Sequence, residues 1–533
     1  MVKTERVLRS SAPDIVVPDI ALVSYLLAGA ARHEEKVALV DHRTGETLTY
    51  RTLCEQVGQA ADGLRARGVT PGTVVALFSE NQPRFAVAAL AVLAAGAVLS
   101  PVSPLSTEHE VAVHLHAAGA GMLVVSEALA QVGSAAAAGV GISEVYVLGN
   151  NACSFDSLLR ERGQSEVVID PSSVAVLPFS SGTTGLPKGV QLSHRNIVAN
   201  LEQLRTVMDI DESETFCAVL PFTHIYGLTV ILFMGLLRGV TIVTFPRFEL
   251  TSYLATVQER RVRRLHVVPP IVLALANDPV VDNYDLSSVW LVSSGAAPLD
   301  SSISRRVTER LGCLIGQGYG MTEASPGITY VPDAEAGTIP AGTVGRLLSS
   351  TEARLVDPST QTDASGEGEL WVRGPQVMLG YLGAEEGAAS GLLNGWLPTG
   401  DLATVDKEGI YRIVGRLKEL IKYNGYQVAP AELEALLLEH SAVIDAAVVG
   451  MPDPAVGENP TAVVVTNRPV EVDELLEWVN SRVSPYKKIR ALHEVAAIPK
   501  TASGKILRRA VLAAISTGVG NNSVVELSTQ ESI

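Results

Sequence analysis

The run Val174-Ala175-Val176-Leu177, continued by Pro178-Phe179-Ser180-Ser181-Gly182-Thr183-Thr184-Gly185-Leu186-Pro187-Lys188-Gly189-Val190, is the most informative stretch of the chain. A Val-rich strand leads into two hydroxyl pairs, three glycines and a lysine. Glycines let backbone N–H groups approach an oxyanion, hydroxyls donate further hydrogen bonds, and Lys188 supplies a point charge, so the composition suits a phosphate. An ordinary polar loop can share that composition. The spacing is not the G-x-x-x-x-G-K-[ST] phosphate loop either, because Gly189 follows Lys188.

Outward from this segment, helix-like stretches (52–67, 84–95, 108–117) alternate with short Val-rich runs such as Val74-Val75-Ala76-Leu77. That alternation predicts parallel α/β structure from about 38 to 125, and its repetition from 173 to 299 predicts a second doubly wound unit. Between 342 and 412, Gly-punctuated β-type runs predict a small β subdomain. After Gly415-Arg416-Leu417-Lys418 a compact α+β pattern begins, with helices expected at 430–440 and 472–483 and strands at 445–449 and 461–466. The reading is therefore α/β: a large N-terminal domain, 1–415, of two doubly wound subdomains plus a small β subdomain, and a small mobile α+β C-terminal domain, 416–533. The tail from about 517 is expected to be flexible.

At 533 residues several units are expected, and a hydrophobic content of 47% argues against disorder outside the ends. A net charge of −16 excludes the basic footprint of a nucleic-acid binder. Four scattered cysteines without a C-x-x-C pair fit neither a disulfide framework nor a cysteine zinc site. The apolar stretches 85–99 and 229–245 are each broken by a glycine where a helix would stop before a strand, so neither is expected to span a membrane. No export signal and no peroxisomal address are read at the termini, and a cytoplasmic location is expected.

As a whole, 178–190 resembles the phosphate loop of the adenylate-forming superfamily of acyl-CoA synthetases, adenylation domains and luciferases. Further segments match in the expected order: 220–227 (LPFTHIYG), 295–299 (GAAPL), 316–323 (GQGYGMTE), 399–402 (TGDL), 415–422 (GRLKELIK) and 499–508 (PKTASGKILR). The resemblance covers about 35–512. It implies an enzyme that joins a carboxylic acid to ATP as an acyl-adenylate and passes the acyl group to coenzyme A, using Mg²⁺. By the same resemblance Ser180, Ser181, Gly182, Thr183, Thr184, Lys188, Ala296, Gln317, Gly318, Thr322, Asp401, Arg416 and Lys418 would bind ATP or AMP, and Glu323 would hold the metal. His224, Lys422, Gln427 and Lys505 would be catalytic, with an interdomain hinge at Lys418. A carboxylate is already a nucleophile near neutral pH, so such a reaction needs charge neutralisation and alignment rather than a base.

Within the superfamily, 224–226, 268–271 and 422–430 look most like 4-coumarate:CoA ligases, which implies a pocket of Ile225, Tyr226, Ser293, Gly295, Gly320, Pro326 and Gly327 with Ala296 and Gly318, suited to a hydroxycinnamate or related aryl acid. Ser293 stands where those ligases have a lysine, and Gly327 where they have a valine. For coenzyme A the resemblance implies Arg247, Asn424 and Gly425, with Asn424 replacing a lysine. Alternatives are a medium- or long-chain fatty acyl-CoA synthetase and a luciferase-like or stand-alone adenylating enzyme. An amino-acid adenylation domain would need an aspartate near His224, and 222–230 has none; a non-catalytic binding protein would be expected to lack Lys505 or Glu323, and both are present.

Overall fold

A computed structural model describes residues 6–149, 154–159, 167–180, 188–384, 390–424, 426–501 and 504–517. Local signals start and stop the early helices. The helix Tyr50–Ala66 is capped by the Thr49 side chain and buries Leu53, Val57, Ala60 and Leu64 at helical spacing. Pro83–Ala94 has proline in its first turn and is buried from Phe85 to Leu93. Gly96, at φ 79°, then turns the chain into the strand Val98–Val102. Glu108–Ala118 carries a Thr107/Glu110 capping box and ends at Gly119 in the left-handed region. Among the described residues no helix is long and apolar enough to cross a membrane.

Mixed α/β organisation holds throughout, but the strands are shared out differently from the two consecutive units expected. Val98–Val102, Val74–Phe78, Met122–Ser126 and Val145–Leu148 form parallel pairs, and Val174–Val176 joins the free side of Val98–Val102. The strand Lys188–Ser193 extends that sheet antiparallel. Conversely, Val37–Asp41 leaves the first region to pair with Thr241–Thr244, which pairs with Thr215–Ala218. A third sheet places Arg264–Val267, Leu291–Ser294 and Leu314–Gly320 in parallel, then adds Gly327–Tyr330 antiparallel. Alternation along a chain reports the order of elements; it carries no information about which sheet edge a strand will take.

The stretch 229–245 is helix, glycine and strand as expected, but its helix opens with π-type turns over Tyr226–Phe233 before Met234–Arg238. Such turns concentrate at functional sites. They are invisible to periodicity here because the segment is buried on every side.

Five antiparallel strands, Leu8–Arg9, Glu352–Val356, Gly368–Arg373, Leu397–Val405 and Tyr411–Arg416, make the β subdomain. A short turn, Leu417–Glu419, then leads to Ile421–Tyr423, the first strand of a separate sheet with Tyr426–Val428, Gly457–Thr466, Val443–Asp453 and Ala491–Glu494. This last unit has its own core, in which Leu433, Leu437, Val448, Val464 and Val479 meet.

Candidate active site

Every sheet contributes a strand end or loop to one cleft of about 1180 Å³. Phosphate-side groups enter from the hairpin in which Ser180 pairs with Lys188. Ser181, Gly182, Thr183 and Thr184, which connect the two strands, lie outside the described residues. Ser180 Oγ donates to Glu323 Oε1 at 3.0 Å, and the Tyr381 hydroxyl donates to the same oxygen at 2.9 Å. Tyr381 is held where Gly380–Tyr381 pairs with Val190 and Gln191. The Lys188 ammonium rests 4.9 Å from the Tyr381 ring centre, a cation–π contact.

Glu323 is 5% exposed and sits beside Thr322 on the turn Thr322–Ala324. One carboxylate flanked by hydroxyls suits a magnesium ion that takes most of its ligands from phosphates and water. Among the described residues no group of three or more His, Cys, Asp or Glu side chains could hold a metal unaided.

Arg416 lines the cleft, and antiparallel pairing sets the buried Asp401 beside it, behind the lining residues. Asp401 Oδ1 accepts from Arg416 Nε at 2.8 Å, and Oδ2 accepts from the Tyr319 hydroxyl at 2.7 Å. Burial opposes the Arg416 charge, but the adjacent carboxylate outweighs it and raises the guanidinium pKa further. Ala296 lines the same cleft at φ 70°, a left-handed conformation that costs a non-glycine residue about 1 kcal/mol. Gln317 does not line the cleft: its amide bonds the Leu299 N–H and carbonyl and braces the 295–299 loop from behind.

Ile225, Tyr226, Ser293, Gly295, Gly320, Pro326 and Gly327 all line the cleft. A Cβ at Gly295 would meet the Tyr226 ring at 3.2 Å, so that glycine gives the ring room. Gly318 and Gly320, which also line the cleft, make room for neighbouring protein. A Cβ at Gly320 would lie 2.1 Å from the Pro326 carbonyl oxygen and one at Gly318 3.0 Å from the Tyr330 ring, so both let neighbouring protein close in. At Gly327 a Cβ would meet Leu348 at 2.9 Å and the Asn200 carboxamide at 3.2 Å, a group that also bonds the Gly327 N–H and carbonyl.

His224 and Lys505 meet in this cleft from opposite ends of the fold. Burial, reinforced by the Lys505 charge, lowers the His224 pKa to about 4, which leaves the imidazole neutral at ordinary pH. Lys505 stands on a turn closed by Thr501 N–H to the Lys505 carbonyl (2.8 Å) and Lys505 N–H to Thr501 Oγ1 (3.1 Å). The turn docks so tightly that a Cβ at Gly504 would lie 2.5 Å from Pro270. Lys500 binds both oxygens of Asp445 (2.8 and 2.7 Å), and Arg508 reaches Glu419 at 2.8 Å. The Lys505 ammonium is ringed by protein yet faces water in the open cleft. Burial and Arg416 lower its pKa, against Asp401, Glu323 and Glu419.

Lys418 also lines the cleft. Lys422, Asn424 and Gln427 are exposed on the hairpin Ile421–Tyr423/Tyr426–Val428, outside the cleft, as is Arg247 on the N-terminal side; Gly425 lies outside the described residues. Sequence reasoning passed over Tyr319 and Tyr381. Tyr319 had a signal, an aromatic between two motif glycines, whereas Tyr381 lies 58 residues from the carboxylate that it holds.

Residues 26–382 match the AMP-binding enzyme family, and residues 432–505 match the AMP-binding enzyme C-terminal domain. The chain is 40% identical to 4-coumarate–CoA ligase 5 of Oryza sativa subsp. japonica over 96% of its own length and 98% of that protein's. It is 38% identical to peroxisomal OPC-8:0-CoA ligase 1 of Arabidopsis thaliana over 92% of each chain. Its structure is similar to that of a benzoate CoA ligase from Burkholderia xenovorans, with a TM-score of 0.84 at 27% identity, covering 92% of this chain and 99% of that one. With both parts matched and its relatives aligned nearly end to end, the chain belongs to the AMP-binding enzyme family.

Proposed function

We propose that this chain is an AMP-forming acid:CoA ligase acting on planar aryl acids of the hydroxycinnamate type. The observation that carries the reading is the convergence of Lys505, His224, Glu323 and Arg416, the last bonded to Asp401 behind it, on one cleft. In the first half-reaction the acid's carboxylate oxygen attacks the α-phosphorus of ATP and pyrophosphate leaves. Both reactants are anions, so the barrier is largely the cost of gathering negative charge in line. Lys505 supplies positive charge on the acid's side, Lys188 leaves its aromatic rest to meet the outer phosphates, and Thr322 donates to the α-phosphate. Asp401, oriented by Tyr319 and Arg416, accepts from the ribose hydroxyls. Glu323 would hold a magnesium ion that offsets charge on the triphosphate.

In the second half-reaction the sulfur of coenzyme A attacks the acyl carbon and AMP leaves. Neutral His224 lines the approach and can accept a hydrogen bond from the incoming thiol. Lys422, Asn424 and Gln427 stand away from the cleft while Lys505 occupies it, so this step, in which Gly425 would also take part, calls for a reorientation of the C-terminal unit about Lys418, with Arg247 taking a phosphate of the acceptor. Incubation with ATP, Mg²⁺, CoA and a panel of cinnamic, benzoic and medium-chain acids, read by thioester mass, tests the proposal. Thioester with aryl acids is expected. Better kcat/KM with aliphatic acids would remove the aryl assignment and leave the ligase.

A further inference from the structure

Beside Tyr226 and Gly318 the cleft lining is polar. Ser293 and Tyr330 both line the cleft, and their hydroxyl oxygens lie 3.1 Å apart. The Tyr330 hydroxyl also reaches Asp333 Oδ1 at 3.4 Å. Asp333 is in turn gripped by Arg264, which is fully buried, through hydrogen bonds of 3.1 and 2.7 Å, with Glu214 3.7 Å from the same guanidinium. Strand register sets His266 alongside Ser293. That imidazole is 2% exposed, and neither of its nitrogens has a hydrogen-bond partner among the described residues.

Buried polar groups are nearly always paired, because an unpaired one costs about 1–3 kcal/mol. His266 itself does not line the cleft and packs edge-on against Phe216, but a pocket meant only for hydrocarbon would have no use for two hydroxyls in its wall. The charges behind the hydroxyls, one guanidinium against two carboxylates, do not invite a second carboxylate. A hydroxyl can donate to one partner and accept from another, which is what Ser293 and Tyr330 offer.

We propose that Ser293 and Tyr330 form a subsite for a hydroxyl at the distal end of the acyl group, with Tyr330 as the specificity-determining residue. The inference rests on the acyl-adenylate reading above. It goes beyond it in assigning the recognition to Tyr330, backed by Asp333 and Arg264, which no sequence motif marked.

Dissociation constants of acyl-sulfamoyladenosines, stable mimics of acyl-adenylates, test this on the full chain without turnover. The 4-hydroxycinnamoyl compound is expected to bind at least about tenfold more tightly than the cinnamoyl compound, since a site built around a hydroxyl discriminates against the analogue lacking it. In Tyr330→Phe that ratio should fall at least about fivefold while the cinnamoyl compound binds as before. A wild-type ratio under tenfold, or a smaller fall in the variant, overturns the subsite. Ser293→Ala serves if Tyr330→Phe does not fold, with the same criterion. The 4-carboxycinnamoyl compound should bind no better than the cinnamoyl one; tighter binding would overturn the hydroxyl assignment. Thioester production is scored separately, so hydroxyl-dependent binding without thioester removes the ligase reading alone.

Discussion

Lys505 lies near enough to His224 for its ammonium charge to help hold the imidazole neutral, although one residue stands just before the last described helix of the C-terminal unit, Arg508–Thr517, and the other just before the π-type turns Tyr226–Phe233. On the mechanism proposed above, the lysine supplies charge beside the acid's carboxylate and serves only the charge-gathering step. Lys505→Ala should therefore lower acid-dependent pyrophosphate release by ~10²-fold or more. Use of a supplied acyl-adenylate with CoA should be largely retained. Equal losses in both half-reactions would remove the assignment.

The same pair sets a pH dependence. On the proposed mechanism adenylation needs Lys505 charged, and its pKa is lowered, so kcat/KM for pyrophosphate release should decline on the alkaline side at lower pH than an ordinary lysine would give. His224 is neutral down to about pH 4, so no acid limb near 6.5 is expected from it. A pH profile of each half-reaction checks both. An alkaline limb of equal position in the thioester step would show that Lys505 is not its source.

Tyr381 is a positioning residue for Glu323. Removing its hydroxyl takes away a hydrogen bond to a charged acceptor, commonly worth about 1.5–3 kcal/mol. Tyr381→Phe, which keeps the ring under Lys188, should weaken Mn²⁺ binding to the enzyme–nucleotide complex by about tenfold, measured by electron paramagnetic resonance, and leave KM for the acid unchanged. Tyr381→Leu should additionally weaken nucleotide binding through loss of the cation–π contact. Unchanged Mn²⁺ affinity in Tyr381→Phe would refute the role.

Much of the cleft lining was legible because its residues sit in short motifs that resemble those of a known superfamily: Ser180 and Lys188, Thr322 and Glu323, and Arg416. Sheet membership was not, since Val37–Asp41 and Val174–Val176 pair across long gaps that no periodicity records. The π-type turns at Tyr226–Phe233 and the Tyr381–Glu323 contact escaped for the same reason: each is set by tertiary packing. The role of the glycines was hidden for another reason. A sequence reports a missing side chain at Gly318 and Gly320 without telling whether ligand or protein fills the space.

That distinction can be measured. Gly320→Ala drives a methyl group onto a backbone carbonyl, which cannot move aside as a side chain would, and should cost about 1–3 kcal/mol or more of stability in denaturant melts without ligand. Gly295→Ala presses only on the Tyr226 ring and should lower affinity for bulky acids with a smaller stability change. Gly327→Val should destabilise by pushing against Leu348 and Asn200 as well as alter acid choice. Equal stability of Gly320→Ala and wild type would contradict the packing role.

Acid should destabilise the fold through its buried histidines. Burial lowers His194 to about 4 and His266 to about 3, whereas in the unfolded chain both titrate near 6.5. The unfolded state therefore binds more protons below pH 6.5, and stability falls as the pH drops from there towards 4, by up to about 1.4 kcal/mol per pH unit for each histidine. His266→Leu should flatten the slope. A stability flat from pH 6.5 to 4.5 would contradict it.

The central claim is attack of a carboxylate oxygen on the α-phosphorus followed by transfer to CoA. Turnover of 4-hydroxycinnamate labelled with ¹⁸O in both carboxylate oxygens, with ATP, Mg²⁺ and CoA, should yield a CoA thioester and AMP carrying a single ¹⁸O, because the bridging oxygen leaves with the phosphorus. Unlabelled AMP, or label in ADP or inorganic phosphate, would contradict it.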